Sequence, residues 1–188
     1  MVTIDAPHMG LNDQRAPANV QMWNTWSVNS TDSRGHIIDW VAEVARRHPS
    51  GKLKSVVFCC HGNSAFVQMG EGFTRQHTSM FSAWAGLVDK IWFRACLVAR
   101  IVTPGSPTTG DGNLFCSEIA KAAQCYVVAS TELQAAASGR LLPYGQLDTF
   151  EGLLLSYGPQ GGVTWSQRYN STYQRDSSNP GSWTQNPD

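Results

Sequence analysis

Charge is scarce in this 188-residue chain. Charged residues make up 15% of it, and 14 Lys+Arg balance 14 Asp+Glu to a formal net charge of zero. Without a basic run there is no electrostatic footprint for a phosphate backbone, so nucleic acid is not an expected partner. Long apolar runs are missing too. None approaches the roughly 20 residues of a membrane-spanning helix. The first residues, Met1-Val2-Thr3-Ile4-Asp5-Ala6-Pro7, lack the basic and apolar regions of a secretory signal. No CxxC or HExxH spacing marks a metal site, and no metal or other cofactor is expected. Cysteine is present but odd in number: Cys59, Cys60, Cys96, Cys116 and Cys125. Three of them lie in or beside apolar runs, which argues against a disulfide framework and for a reducing compartment. The cytoplasm is the expected location, with export lacking a classical signal as the alternative.

Apolar residues supply 41% of the chain, enough for one sizeable core. One domain over residues 1–188 is expected: an irregular arm at 1–19, a core at 20–165 and a polar tail at 166–188. The tail is rich in Ser, Asn, Gln and Pro and reads as loosely packed or as a strap. A short strand at Val2–Asp5 suits the arm. Val20–Val28 alternates apolar and polar residues like a strand covered on one face. Ile37, Ile38, Val41, Ala42, Val44 and Ala45 recur at helical spacing, and Pro49 and Gly51 stop that helix.

The stretch from Lys54 to Cys96 organises the rest. Ser55–Cys60 is a short apolar run that ends at His61-Gly62-Asn63-Ser64. A helix is expected over about Thr74–Leu87, and a second apolar run spans Lys90–Cys96. A loop over 100–112, a helix over Asn113–Gln124 and a third apolar run, Cys125–Thr131, follow. Strand, helix, strand, helix, strand makes an α/β domain with a parallel core. Weaker strand patterns at Leu141–Tyr144, Thr149–Tyr157 and Val163–Trp165 predict a C-terminal hairpin beside the sheet.

In a parallel sheet the carboxyl ends of the strands form the ligand crevice. His61 ends the first run and Cys96 the second, so both belong to one rim. A thiol needs a base or a positive neighbour to become a nucleophile near neutral pH, and a strand-end histidine can supply it. The plainer reading treats Cys96 as a small buried hydrophobe and His61-Gly62 as turn chemistry. Alternation puts Cys59 on the face of His61 and Cys60 on the other; both read as core.

An apolar strand with His-Gly, a helix, then an apolar strand ending in Ala-Cys resembles the caspase-type fold of the clan CD cysteine peptidases, in particular its bacterial members. The block Gly110-Asp111-Gly112-Asn113-Leu114-Phe115 and the run Val127-Val128-Ala129-Ser130-Thr131 are similar to bacterial caspase-like domains, and the resemblance covers about residues 54–131. It implies a three-layer domain with a mainly parallel sheet flanked by helices, and a His61–Cys96 dyad that hydrolyses a protein or peptide. It also implies an oxyanion site built from the backbone N–H groups of Cys96 and Gly62. The family's signature is Gln-Ala-Cys with a glycine close after it and the histidine about 50 residues upstream. Here the block is Arg94-Ala95-Cys96-Leu97-Val98, without that glycine, and His61 lies nearer. In relatives the residue two before the cysteine lines the pocket for the substrate residue preceding the cut. Arg94 there implies a preference for acidic residues, with an internal ion pair to Glu132 or Asp148 as the alternative. Ser130, near the end of the third run, is expected beside the substrate.

The turn His61-Gly62-Asn63-Ser64 is also similar to the oxyanion turn of α/β-hydrolases, but their Gly-x-Ser-x-Gly elbow is absent. Two alternatives to a peptidase stay open: a non-catalytic caspase-like module that binds a protein, and a Cys–His acyl transferase or deamidase acting on protein glutamine.

Overall fold

The computed structural model describes residues 1–106, 108–135, 139–176, 178 and 182–186. Its centre is a seven-stranded sheet. In chain order the strands are β1 (His8–Asp13), β2 (Asn24–Val28), β3 (Ser55–Cys59), β4 (Lys90–Arg94), β5 (Tyr126–Ser130), β6 (Gly152–Tyr157) and β7 (Val163–Tyr169). Across the sheet they run β7-β6-β5-β4-β3-β1-β2. β2, β1, β3, β4 and β5 are mutually parallel, and β6 and β7 form an antiparallel hairpin on the β5 side. The class is therefore α/β with a mainly parallel sheet, and the expected C-terminal hairpin is present. It is longer than expected, with β7 reaching Tyr169 into the stretch assigned to the tail.

The helical elements are α1 (Arg34–Arg47), a 3₁₀ stretch (Arg75–Trp84) and α2 (Gly112–Ala123). Ser33 caps α1 by accepting the His36 N–H, and Asp111 caps α2 by accepting the Leu114 N–H. Arg46 and Arg47 close the last turn of α1, where cations complement the helix dipole. Helical structure between β3 and β4 is thus real, but it is 3₁₀ rather than α, and the residues before it form a small sheet of Gly62–Asn63, Phe66–Val67 and Phe73–Thr74.

All three helical elements pack on one face. Ile37 and Val41 of α1, Phe81 and Trp84 of the 3₁₀ stretch and Phe115 and Ile119 of α2 share one core with Val56, Phe58, Ile91 and Phe93. Phe58 sits at its middle, with Phe73, Phe93 and Trp84 ring centroids 5.2 to 6.3 Å away. The opposite face is covered differently. There Val57, Cys59, Val128 and Leu154 meet Ile4, Val20, Met22, Leu142, Leu147 and Phe150, all from arms and short strand pairs. Among the described residues no helix lies on this second face, so the expected helix-flanked third layer is replaced by coil and short strands.

Topology explains the difference. The chain steps from β1 outward to β2, then reverses and proceeds through β3, β4 and β5. Parallel crossovers keep one hand, so reversing the direction puts the β1–β2 connection on the opposite face. That connection, residues 14–23, is shorter than a helical crossover needs, and it covers the sheet with Val20 and Met22 instead.

β1 itself corrects the expected irregular arm at 1–19. It is an interior strand of the sheet, between β3 and β2, and all six of its residues are buried. Its polar side chains are consumed by the connection that folds over it. Asn12 Nδ2 donates to the Val20 carbonyl at 3.0 Å and Asn12 Oδ1 accepts the Val20 N–H at 2.8 Å. His8 Nδ1 accepts the Trp23 N–H at 2.9 Å. Gly10 is small because a Cβ there would stand 2.7 Å from Val20 Cγ2 and 2.9 Å from Met22 Cγ. The strand expected over Val20–Val28 begins only at Asn24.

After β7 a short hairpin pairs Tyr173–Arg175 with Trp183–Gln185. Of the tail expected over 166–188, residues 177, 179–181 and 187–188 lie outside the described residues. Among the described residues no helix is long and apolar enough to cross a membrane.

Candidate active site at the carboxyl rim

Strand register sets His61 and Cys96 at adjacent strand ends. Cys59 of β3 is the partner of Arg94 of β4, and the Cys60 N–H still reaches the Arg94 carbonyl at 3.4 Å. His61 and Cys96 are each two residues further on, at adjacent strand ends on one rim. Beyond Cys60 the ladder pairing ends, but the two chains stay in contact. Among the described residues the Cys96 N–H makes no hydrogen bond. Gly62 packs directly on the Cys96 backbone: a Cβ at 62 would lie 2.6 Å from the Cys96 carbonyl oxygen and 2.9 Å from Ala95 Cβ. The Gln68 N–H donates to the His61 carbonyl at 2.8 Å, which makes 61 and 68 a hydrogen-bonded pair. The next pair, Gly62 and Val67, is then the non-bonded kind, and the Gly62 N–H faces away from its strand partner.

His61 is exposed, whereas Cys96 is half-buried. Leu97, next to Cys96, has φ +63°, a left-handed conformation that costs a non-glycine residue about 1–2 kcal/mol. Backbone bonds from Leu97 N–H to the Glu132 carbonyl and from Ala99 N–H to the Ser130 carbonyl, both 3.0 Å, hold it there. Such strain clusters at functional sites. Burial pushes the Cys96 thiol up from its ordinary 9.0. A hydrogen bond from the Gln134 backbone N–H and the nearby Arg94 charge pull it down without overcoming that burial, and Glu151 adds to the rise.

The crevice between β1 and β3, where the chain direction reverses, is closed. Asp13 ends β1, is 1% exposed and receives both prongs of Arg15 at 2.7 Å. It also accepts the Gly70 N–H at 2.9 Å, and Arg15 reaches the Gly70 carbonyl at 2.8 Å. Burial works against the Asp13 carboxylate, but these hydrogen bonds prevail and hold it below its ordinary 3.8. Onward from this crevice, the carboxyl ends of β3, β4 and β5 carry His61, Cys96 and Gln134.

Arg94 and Ser130 are both buried and already partnered. The Arg94 fork is filled by Asp148, through Nε at 2.8 Å and Nη2 at 2.5 Å, and Nη1 points to Cys59 Sγ at 3.8 Å. The internal ion pair anticipated as the alternative is the arrangement found. Ser130 is fully buried; its hydroxyl donates to the Glu151 carbonyl at 2.8 Å and accepts the Glu132 N–H and Gln134 Nε2. Glu132, the other anticipated partner, pairs with Arg168 instead. Cys59 donates to the Ala18 carbonyl at 3.1 Å and lies in the second-face core.

Two cavities adjoin the rim. One of about 740 Å³ is lined by Ala65, Arg75, His77, Ile101 and Asp111 among others. Another of about 510 Å³ is lined by Arg100, Glu132, Arg168, Tyr173 and Trp183 among others. Neither is lined by His61 or Cys96. In the first, Arg34 and Arg75 are already paired with Glu71 and Glu118.

Gln134 is the residue that sequence reading overlooks. It lies four positions beyond the end of β5, and the rule that ligands gather at carboxyl ends of parallel strands applies to β5 as to its neighbours. Comparison of the chain with family models, with curated proteins and with solved structures returned no match.

Proposed function

We propose that this protein is a cysteine peptidase of caspase-like type, with Cys96 as nucleophile and His61 as its acid–base partner. One observation carries the reading: the Cys59–Arg94 register sets His61 and Cys96 at adjacent strand ends on one rim. The sheet order, five parallel strands followed by an antiparallel sixth, supports it. In the reaction the Cys96 thiol gives its proton to His61, and the sulfur bonds to the substrate carbonyl carbon. The developing oxyanion is met by the N–H groups of Cys96 and Gly62. The C–N bond then breaks, with the leaving amine taking a proton from His61, and water releases the acyl group from sulfur. The substrate is a protein or peptide.

The acidic preference implied by Arg94 is not part of this reading, because Asp148 already fills its fork. Five free thiols suit a reducing compartment.

A second reading, a non-catalytic module that binds a protein, is favoured by the raised Cys96 thiol and by the two cavities beside the rim that His61 and Cys96 do not line. Incubation with a mixed peptide library, read by mass spectrometry, separates the two. The peptidase cleaves peptides, and Cys96→Ala and His61→Ala abolish cleavage in a folded protein. A binding module leaves every peptide whole.

A further inference from the structure

Gln134 is clamped far more heavily than an ordinary loop residue. Its side-chain Nε2, with two hydrogens to give, lies within hydrogen-bonding distance of Ser130 Oγ at 2.9 Å and of the Glu132, Leu133 and Glu151 carbonyls at 3.1, 2.9 and 3.0 Å. Its Oε1 accepts the Glu151 N–H at 3.0 Å. The amide group thus ties the segment leaving β5 to the segment entering β6. What this clamp presents is a single peptide N–H. The Gln134 backbone N–H points at Cys96 Sγ at 3.3 Å, and the thiol in turn faces the Gln134 carbonyl at 3.7 Å. Cys96 Sγ therefore meets an acceptor for its proton and a donor for its negative charge in one residue.

We infer that Gln134 is a positioning residue for Cys96: its side chain locks the 132–135 segment so that its own N–H stabilises the Cys96 thiolate. A hydrogen bond to the charged form of an acid favours that form. It is worth more than one to a neutral group, and here the sulfur is half-buried, where water competes poorly. Of the other groups near the sulfur, Arg94 on β4 favours the thiolate, and Glu151 before β6 opposes it. The buried Cys60 stays neutral, and its thiol is pushed well up by burial. His61 stands at the neighbouring strand end. Arg94 is neutralised by Asp148, which leaves the Gln134 N–H as the directed donor. Its catalytic meaning rests on the peptidase reading above, but the chemistry at sulfur does not.

Peptide-resolved iodoacetamide alkylation of Cys96 across pH tests it, alongside the amide spectrum of isotope-labelled protein. In the wild type, the Gln134 amide proton signal moves with the same midpoint as Cys96 alkylation. In Gln134→Ala, alkylation near neutral pH slows about tenfold, the loss of roughly one charge-assisted hydrogen bond. The rate recovers at high pH, and the buried Cys116 remains unreactive in both proteins. A Gln134 amide that ignores the Cys96 midpoint in the wild type overturns the inference, whatever the variant does. So does an unchanged alkylation profile in a folded Gln134→Ala. Failure of the peptidase reading shows elsewhere, as absence of peptide cleavage with the alkylation and amide results intact.

Discussion

Arg94 and Asp148 form a two-pronged ion pair on the second face of the sheet, with Arg94 5% and the Asp148 side chain 18% exposed. Burial alone would push the Arg94 guanidinium down, but the Asp148 hydrogen bonds and the charges around it raise it. The pair holds the 146–151 segment against β4. Removing one partner leaves a charge in a place built for two. Asp148→Ala is expected to cost about 3 kcal/mol in chemical denaturation. The double variant Arg94→Met/Asp148→Leu should recover most of that. A loss no larger than that of an exposed pair would contradict the buried geometry.

Gly62 is small because the Cys96 carbonyl stands where its Cβ would be, and the opposing atom belongs to backbone that cannot swing away. Gly62→Ala is expected to lower stability by about 1–3 kcal/mol. It should also change the Cys96 alkylation rate, because the strand ends must move apart. A variant with wild-type melting and wild-type alkylation would mean that the two strand ends do not touch.

Cys96 and Cys125 should respond oppositely to substitution. Cys96 is half-buried at a strand end, so Cys96→Ala is expected to melt close to the wild type. Cys125 is 1% exposed between α2 and β5, among apolar neighbours. Cys125→Asp puts a charge there without a partner and should prevent folding. Equal melting temperatures for the two variants would contradict the placement of β5.

Buried thiols set the alkaline limit of stability. Burial pushes Cys125 up from 9.0 to about 12, with the Asp89 charge adding to the rise. Burial raises Cys116 further and also raises the Tyr157 phenol. Each group keeps its proton in the folded chain where the unfolded chain has lost it. Their contribution is complete below pH 9 and declines as pH climbs from 9 toward 12, by up to about 1.4 kcal/mol per pH unit for each group. At the acid end the sign is reversed for Asp13. Its lowered pKa stabilises the fold above the ordinary aspartate value, and this is lost as pH falls below it. Denaturant midpoints should hold from pH 8 to 9 and fall from pH 9 to 11; a flat profile throughout would contradict the burial of these groups.

How much of this is legible in the sequence follows from which residues do the burying. β3, β4 and β5 are apolar runs covered on both faces, so periodicity and turn residues reveal them, and the His61–Cys96 relation comes with them. α1 and α2 carry their stripes and caps openly. β1 does not: His8, Asn12 and Asp13 look like loop residues until the 14–23 connection uses each of them. The coil covering the second face is hidden for a related reason, because Val20 and Met22 alternate like a strand while lying across one. The Arg94 fork shows the limit at the site itself. Spacing aligns Arg94 with Cys96, but only the folded chain brings Asp148, 54 residues later, into its grasp.

The most direct test of the account is peptide hydrolysis by the purified protein, compared with Cys96→Ala, using a mixed peptide library read by mass spectrometry. The account predicts new peptide termini with the wild type and none with the folded Cys96→Ala variant. Intact peptides with the wild type, or cleavage undiminished without the Cys96 thiol, would contradict it.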